Sequence, residues 1–329
     1  MDRHGTEHEL DPSLRTRLKP SWRVMCDPVA VATPPNDEAL GDRARAAERT
    51  VAEARALAVT VAGVELSGRI LEIGCYDGGV AFQLARRPGT DVVGSDLARY
   101  YVASRPGEHT DSEIDAQHAV LAGIRDRARA VSDPSGGQIV GTVEFVEDDI
   151  TVSRLDPASF DAIVSFEVFE HVQDVPAAFE SIYRLLKPGG IAYNDYNPFF
   201  SANGGHSLCT LDFAWGHARL DDADFERYLR EIRPTEVDQA LRFYREGLNR
   251  LSVADLERAV QDSGLELLAV LPWTDRKLVP QLTEEVLAGV VRTYPRVTAM
   301  DLLATFVVVI ARRPPTVSGQ APTARASPS

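Results

Sequence analysis

The stretch from Arg69 to Gly79, RILEIGCYDGG, constrains the fold more than any other part of the chain. An apolar strand from Arg69 to Ile73 runs into a turn rich in glycine, Gly74, Gly78 and Gly79, and an apolar helix opens at Val80. Glycines at such a turn let the backbone approach a ligand closely and leave the N–H groups of the following helix available to it. Glu72 stands two residues before Gly74, at the carboxyl edge of the strand, where open α/β sheets bind their ligands.

The rest of the chain repeats this alternation. The spacing of Leu40, Ala44, Ala47, Val51, Ala54, Leu57 and Val61 predicts one helix over 36–62. Short apolar strands are predicted over 91–95, 142–146, 160–165 and 191–195, with two more over 265–271 and 303–312. Phe179, Ile182, Tyr183 and Leu186 mark a helix that stops at Lys187-Pro188-Gly189-Gly190. Ser252, with Asp255 three residues on, caps another that ends near Gly264. Strands alternating with helices imply an α/β fold, a parallel sheet with helices on both faces. Residues 1–35 read as a partly disordered extension and 36–195 as the core. The segment 196–250, rich in aromatic and charged residues, reads as a lid, 251–314 as the C-terminal part of the sheet, and 315–329 as a disordered tail.

Composition narrows the partners. A formal net charge of -14 over 329 residues disfavours nucleic acid. Cys26, Cys75 and Cys209 are too few and too scattered for a disulfide framework or a cysteine zinc site, which suits a reducing compartment. The N-terminus has no secretion-type apolar stretch, and the run from Leu302 to Ala311 is too short to cross a bilayer, so a cytoplasmic, soluble protein is expected. Composition leaves the oligomeric state open.

Two further acids follow the next strands. Asp96 ends the second strand, where a carboxylate can accept both hydroxyls of a ribose, and Asp149 follows the third, in EDDIT. With FDAIVSFEVFEHV after the third acid and LLKPGG closing the next helix, the pattern resembles the class I S-adenosylmethionine methyltransferases over 36–190 and 251–314. The resemblance implies a Rossmann-like sheet, mostly parallel with an antiparallel last strand. It implies S-adenosylmethionine as cofactor, its methionine part on Glu72, Gly74 and Gly78, its ribose on Asp96 and its adenine on Asp149. Cys75, Tyr76, Leu97, Ile150 and Phe166 complete the implied cofactor site. Tyr76 departs from the family, which has glycine or a small residue there. Its ring must point away from the cofactor or cover it. A nicotinamide enzyme would also use such a turn, because Gly74 and Gly79 fill two of three fingerprint positions. Glu72 and the EVFEH block argue against it.

On the acceptor side, Glu167, Glu170 and His171 fall at i, i+3 and i+4, hence on one face of a predicted helical turn. Two carboxylates and an imidazole there suit a divalent ion such as Mg²⁺. The arrangement resembles that of ubiquinone-pathway O-methyltransferases and small-RNA 2′-O-methyltransferases, whose metal site adds a later histidine. His206 and His217 are the candidates for it. The alternative is a direct histidine base, from His171, His206 or His217. Asn194 to Asn197, ending the fifth strand, are placed to orient the acceptor. The chain is therefore expected to be a methyltransferase (EC 2.1.1.-) acting on an oxygen of a small molecule, a sugar or specialised metabolite. N-methylation of a small amine and a catalytically inactive cofactor-binding protein are the alternatives.

Overall fold

The computed structural model describes residues 2–27, 33–101 and 110–316; most of the expected tail, 315–329, lies outside them. Seven strands form one sheet: β1 Gly68–Ile73, β2 Thr90–Asp96, β3 Val143–Glu147, β4 Phe160–Phe166, β5 Leu186–Tyr196, β6 Glu266–Thr274 and β7 Ala304–Arg312. Their order is β3-β2-β1-β4-β5-β7-β6. The pairings from β3 to β5 are parallel, and β7 runs antiparallel to both of its neighbours. β5 starts earlier than its apolar stretch suggests, because Lys187-Pro188-Gly189-Gly190 already belongs to the strand.

Alternate side chains along each strand feed two cores, as the pleat requires. Leu71, Ile73, Ala192 and Val309 pack under the helices Val175–Leu185 and Val253–Asp262. Ile70, Tyr193, Val308 and Ile310 pack under the long helix Asp37–Leu57, its π-helical extension Ala58–Ala62, and the helix Gly79–Leu84. Local capping agrees with this arrangement. Asn36, Asp174 and Ser252 each accept a backbone N–H from the first turn of the helix that they precede.

The stretch after β5 is a helical insertion with a core of its own. Phe199, Trp215, Phe225, Leu229 and Tyr244 are buried together, with Phe225 stacked on Tyr244 at 3.9 Å. Part of that core comes from the connection between β6 and β7, through Leu278, Val286, Val290 and Leu302. Trp215 Nε1 donates to the Leu302 carbonyl at 3.1 Å. Within the N-terminal extension, Leu14–Leu18 and Trp22–Met25 are helical, and Leu14 and Arg15 are buried. No helix among the described residues is long and apolar enough to cross a membrane.

Candidate active site

In a parallel sheet all carboxyl ends lie on one edge, and here that edge collects the glycine turn and three acids. β1 leaves the sheet through Gly74 in the left-handed region (φ 73°). A Cβ at Gly74 would lie 2.4 Å from Val168 Cγ2, so no side chain fits. Gly78 is equally confined (φ 76°), with the Phe145 ring 2.5 Å from where its Cβ would be. Glu72 is buried with Oε2 unpartnered. Burial, then the negative charges of Asp77 and Asp96, hold its carboxyl well above the usual range.

The structure resolves where Tyr76 goes. Its backbone is left-handed too (φ 38°), and its N–H donates to Asp96 Oδ2 at 2.6 Å. The carbonyl accepts from Arg125 Nε at 2.8 Å, and the ring lies beside Tyr101 at 4.9 Å and under the Arg43 guanidinium at 5.1 Å. Arg43 in turn pairs with Asp77 at 3.2 Å, and Asp77 Oδ1 accepts the N–H of Gly79. Sequence reading missed Arg43 and Arg125, because no local pattern connects them to the turn.

Asp96 Oδ1 accepts the Leu97 N–H at 2.8 Å, while Oδ2 also accepts the Tyr101 hydroxyl at 3.0 Å. Burial raises its pKa despite those bonds. Asp149 caps a short 3₁₀ turn, taking the N–H and hydroxyl of Thr151 on Oδ1 and Arg99 on Oδ2 at 2.7 Å. Ile150 is in the core, Leu97 is half-buried, Cys75 is buried, and the Phe166 ring packs on Tyr193 at 5.6 Å. The residues suit a ligand with both an ammonium and a diol: an unpartnered buried oxygen, Oε2, on Glu72, and spare acceptor capacity on Asp96 Oδ1.

The turn after β4 departs from expectation. Glu167 is left-handed (φ 54°), which breaks the helical spacing, and its N–H is held by Asp195 Oδ1 at 2.9 Å. Residues 168–172 then make a non-helical turn, with the His171 N–H on the Val168 carbonyl. The side chain of Glu167 is exposed and lies outside the cluster that forms. Glu170, His171 and His206 converge instead, with one ligand-type atom of each within 4.8 Å of the others. His206 Nε2 lies 4.0 Å from Glu170 Oε1, and the two imidazole rings are 5.2 Å apart. Tyr100 and Phe243 flank them, each within 6 Å of the His171 ring.

Each member of this group is tuned by its surroundings. Burial pushes the Glu170 carboxyl up to about 8. Burial, then the charges of His171 and of Lys19 from the N-terminal segment, lowers His206 to about 3. Burial lowers His171 as well. His171 Nδ1 lies 2.6 Å from the Gly247 carbonyl, an acceptor only, so Nδ1 carries the hydrogen and the neutral ring leaves Nε2 bare. His217 does not join them. It is fully buried in the insertion core, its Nε2 on the Phe199 carbonyl at 2.8 Å and its ring edge-on to Phe199, which keeps it out of the cluster. Asn194 takes the Ser165 hydroxyl, which with Asp195 ties the ends of β4 and β5 together.

A seven-stranded sheet in this order, one strand reversed, with its glycine turn and acids at the shared edge, defines a class I methyltransferase fold. A family model described as a methyltransferase domain matches residues 41–270, and the chain belongs to that family of S-adenosylmethionine-dependent enzymes. Among curated relatives, it is 29% identical over 185 residues to phosphoethanolamine N-methyltransferase 3 of Arabidopsis thaliana, covering 53% of this chain and 32% of the relative. It is 29% identical over 177 residues to the ubiquinone biosynthesis O-methyltransferase of a Chelativorans species, covering 53% and 56%. A sterol 24-C-methyltransferase of Gibberella zeae is 26% identical over 129 residues, covering 39% and 27%. The chain thus spans between about a quarter and about half of the length of these relatives. A solved structure, Haemonchus contortus phosphoethanolamine N-methyltransferase 2 with S-adenosyl-L-methionine, aligns at 19% identity over 80% of this chain and 52% of that one, with a TM-score of 0.44.

The turn that carries Glu170 and His171 is fastened by Asn249. Its Nδ2 donates to the carbonyls of Phe169 at 2.6 Å and Val172 at 2.8 Å, and its own N–H donates to the Glu170 carbonyl. Asn249→Ala leaves two carbonyls without that donor, at roughly 1–3 kcal/mol each where they stay buried. Urea denaturation should show a loss of about 2–4 kcal/mol with an unchanged slope.

Proposed function

We propose that the protein transfers the methyl group of S-adenosylmethionine to an oxygen of a small molecule, with His171 as the general base. The observation that carries this reading is the fixed tautomer of His171. Its Nδ1–H is committed to Gly247, and its Nε2 is unprotonated beside His206, just past the end of β4. An alcohol or phenol must lose a proton as it is methylated, and a neutral imidazole within hydrogen-bond reach can take it. His206, with Nε2 unpartnered, is then the second group on the acceptor oxygen. Burial favours the protonated form of Glu170, which would put a donor rather than a repelling charge beside that oxygen.

The cofactor supplies an electrophilic methyl carbon on a sulfonium. In our reading Glu72, Gly74, Cys75, Tyr76 and Gly78 face its methionine part, Asp96 its ribose, and Asp149 its adenine. Leu97, Ile150 and Phe166 are the apolar neighbours. Two charge-assisted hydrogen bonds from Asp96 to the ribose, each about 1.5–3 kcal/mol, make the first test. Asp96→Ala should weaken binding of S-adenosylhomocysteine at least about tenfold by calorimetry while the fold survives. Unchanged affinity would remove Asp96 from the ribose site.

A second reading is supported by the convergence of Glu170, His171 and His206 on one point. A divalent ion there would lower the acceptor's pKa without a base. One carboxylate and two imidazoles suit Zn²⁺ or Mn²⁺ better than the Mg²⁺ expected from two carboxylates. Turnover with methyl-labelled cofactor, against catechols and sugars on one side and small amines on the other, separates the readings. With His171 as base, His171→Gln lowers kcat by about 10²–10⁴-fold and a chelator changes nothing. With a metal, the chelator abolishes turnover, Mn²⁺ restores it, and Glu167→Ala is neutral. Methylation of amines alone, indifferent to both treatments, would make this an N-methyltransferase. Cofactor binding without turnover on any acceptor would mark an inactive binding protein.

A further inference from the structure

We infer that the N-terminal segment 11–26 completes the acceptor site, with Arg15 as a positioning residue for His206. This rests on the reading that His206 faces the acceptor. His206 and Ser207 are consecutive non-glycine residues in the left-handed region, at φ 48° and 65°. Side chains disfavour that region, and such a pair persists only where its surroundings dictate it. The two preceding glycines pack the loop tightly. A Cβ at Gly204 would lie 2.0 Å from the Phe199 carbonyl oxygen, and one at Gly205 2.4 Å from the Thr210 nitrogen.

Two buried arginines hold the carbonyls that follow His206. Arg233, from the insertion itself, donates to Leu208 at 2.7 Å and Thr210 at 2.8 Å. The carbonyl of Ser207, directly next to His206, is taken by Arg15 Nη2 at 3.0 Å, from 192 residues away. Glu236 bridges the pair, accepting from Arg15 on both carboxylate oxygens and from Arg233. Arg15 is only 3% exposed and lies 3.7 Å over the Trp22 ring, while Leu14 is buried and Leu18 packs on the insertion core. A buried guanidinium clamped between a carboxylate, an indole and a carbonyl is a fixed point. The insertion's own arginine thus fastens the far side of the loop, and the N-terminal segment fastens the carbonyl of the second left-handed residue, one residue beyond His206.

The test reads His206 without turnover. Imidazole signals of full-length protein labelled on histidine are recorded at one pH, with His206 assigned by His206→Gln and His217 as the control in the insertion core. Arg15→Ala should shift or broaden the His206 signal and leave His217 in place. It should also remove amide-exchange protection at Leu208 and Cys209, which bond the His206 and Gly205 carbonyls. Arg15→Lys keeps the charge without the planar fork and should give an intermediate shift. If Arg15→Ala does not fold, Arg15→Lys and Glu236→Gln take its place with the same expectation. A folded variant of lower stability with an unmoved His206 signal overturns the inference and leaves Arg15 a packing residue. Full turnover in His206→Gln would instead remove His206 from the acceptor oxygen, and the positioning result would stand.

Discussion

Gly74 is the point at which the two halves of the site are locked together. It must be glycine because its left-handed backbone lies against Val168, and Val168 belongs to the turn that carries Glu170 and His171. The edge that carries the acids and the turn after β4 therefore share a contact with no room for a side chain. The N–H groups of Gly74 and Cys75 both reach the Ser95 carbonyl, and that of Tyr76 reaches Asp96, so the same turn also ties β1 to β2. Parallel pairing brings these ends to one edge, and the glycine turn sets their mutual position.

The proposed acceptor side is built between two cores. His171 rises from the sheet but takes its tautomer from Gly247 in the insertion, and Asn249 fastens the same turn from above. Arg250, lying 4.0 Å from the Phe199 ring and 4.3 Å from that of Tyr244, braces the chain where the insertion returns to the sheet. Burial raises the pKa of Glu170 and lowers those of both imidazoles, which favours the uncharged form of each.

Most of the sheet was legible in the sequence. Its strands are short apolar runs bounded by turn residues, and Asp96 and Asp149 follow from counting strands. Besides Arg43 and Arg125, three things were not. Glu167 reads as the first residue of a helical face, yet Asp195 holds its N–H and the chain turns left-handed there, a contact across 28 residues. His217 looked as available as His206, but the difference lies in packing against Phe199 that no spacing reveals. The N-terminal segment looked featureless because its one decisive residue, Arg15, finds Glu236 across 221 positions. Local pattern reports periodicity and turn chemistry; it is silent on pairings made between distant segments.

The edge formed by Glu72, Gly74, Asp96 and Asp149 is proposed as an S-adenosylmethionine site rather than a dinucleotide site. Calorimetric titration of the purified protein with S-adenosylhomocysteine and, separately, with NADH tests it most directly. Saturable one-to-one binding of S-adenosylhomocysteine and no heat with NADH are expected. Binding of NADH with none of S-adenosylhomocysteine would contradict it.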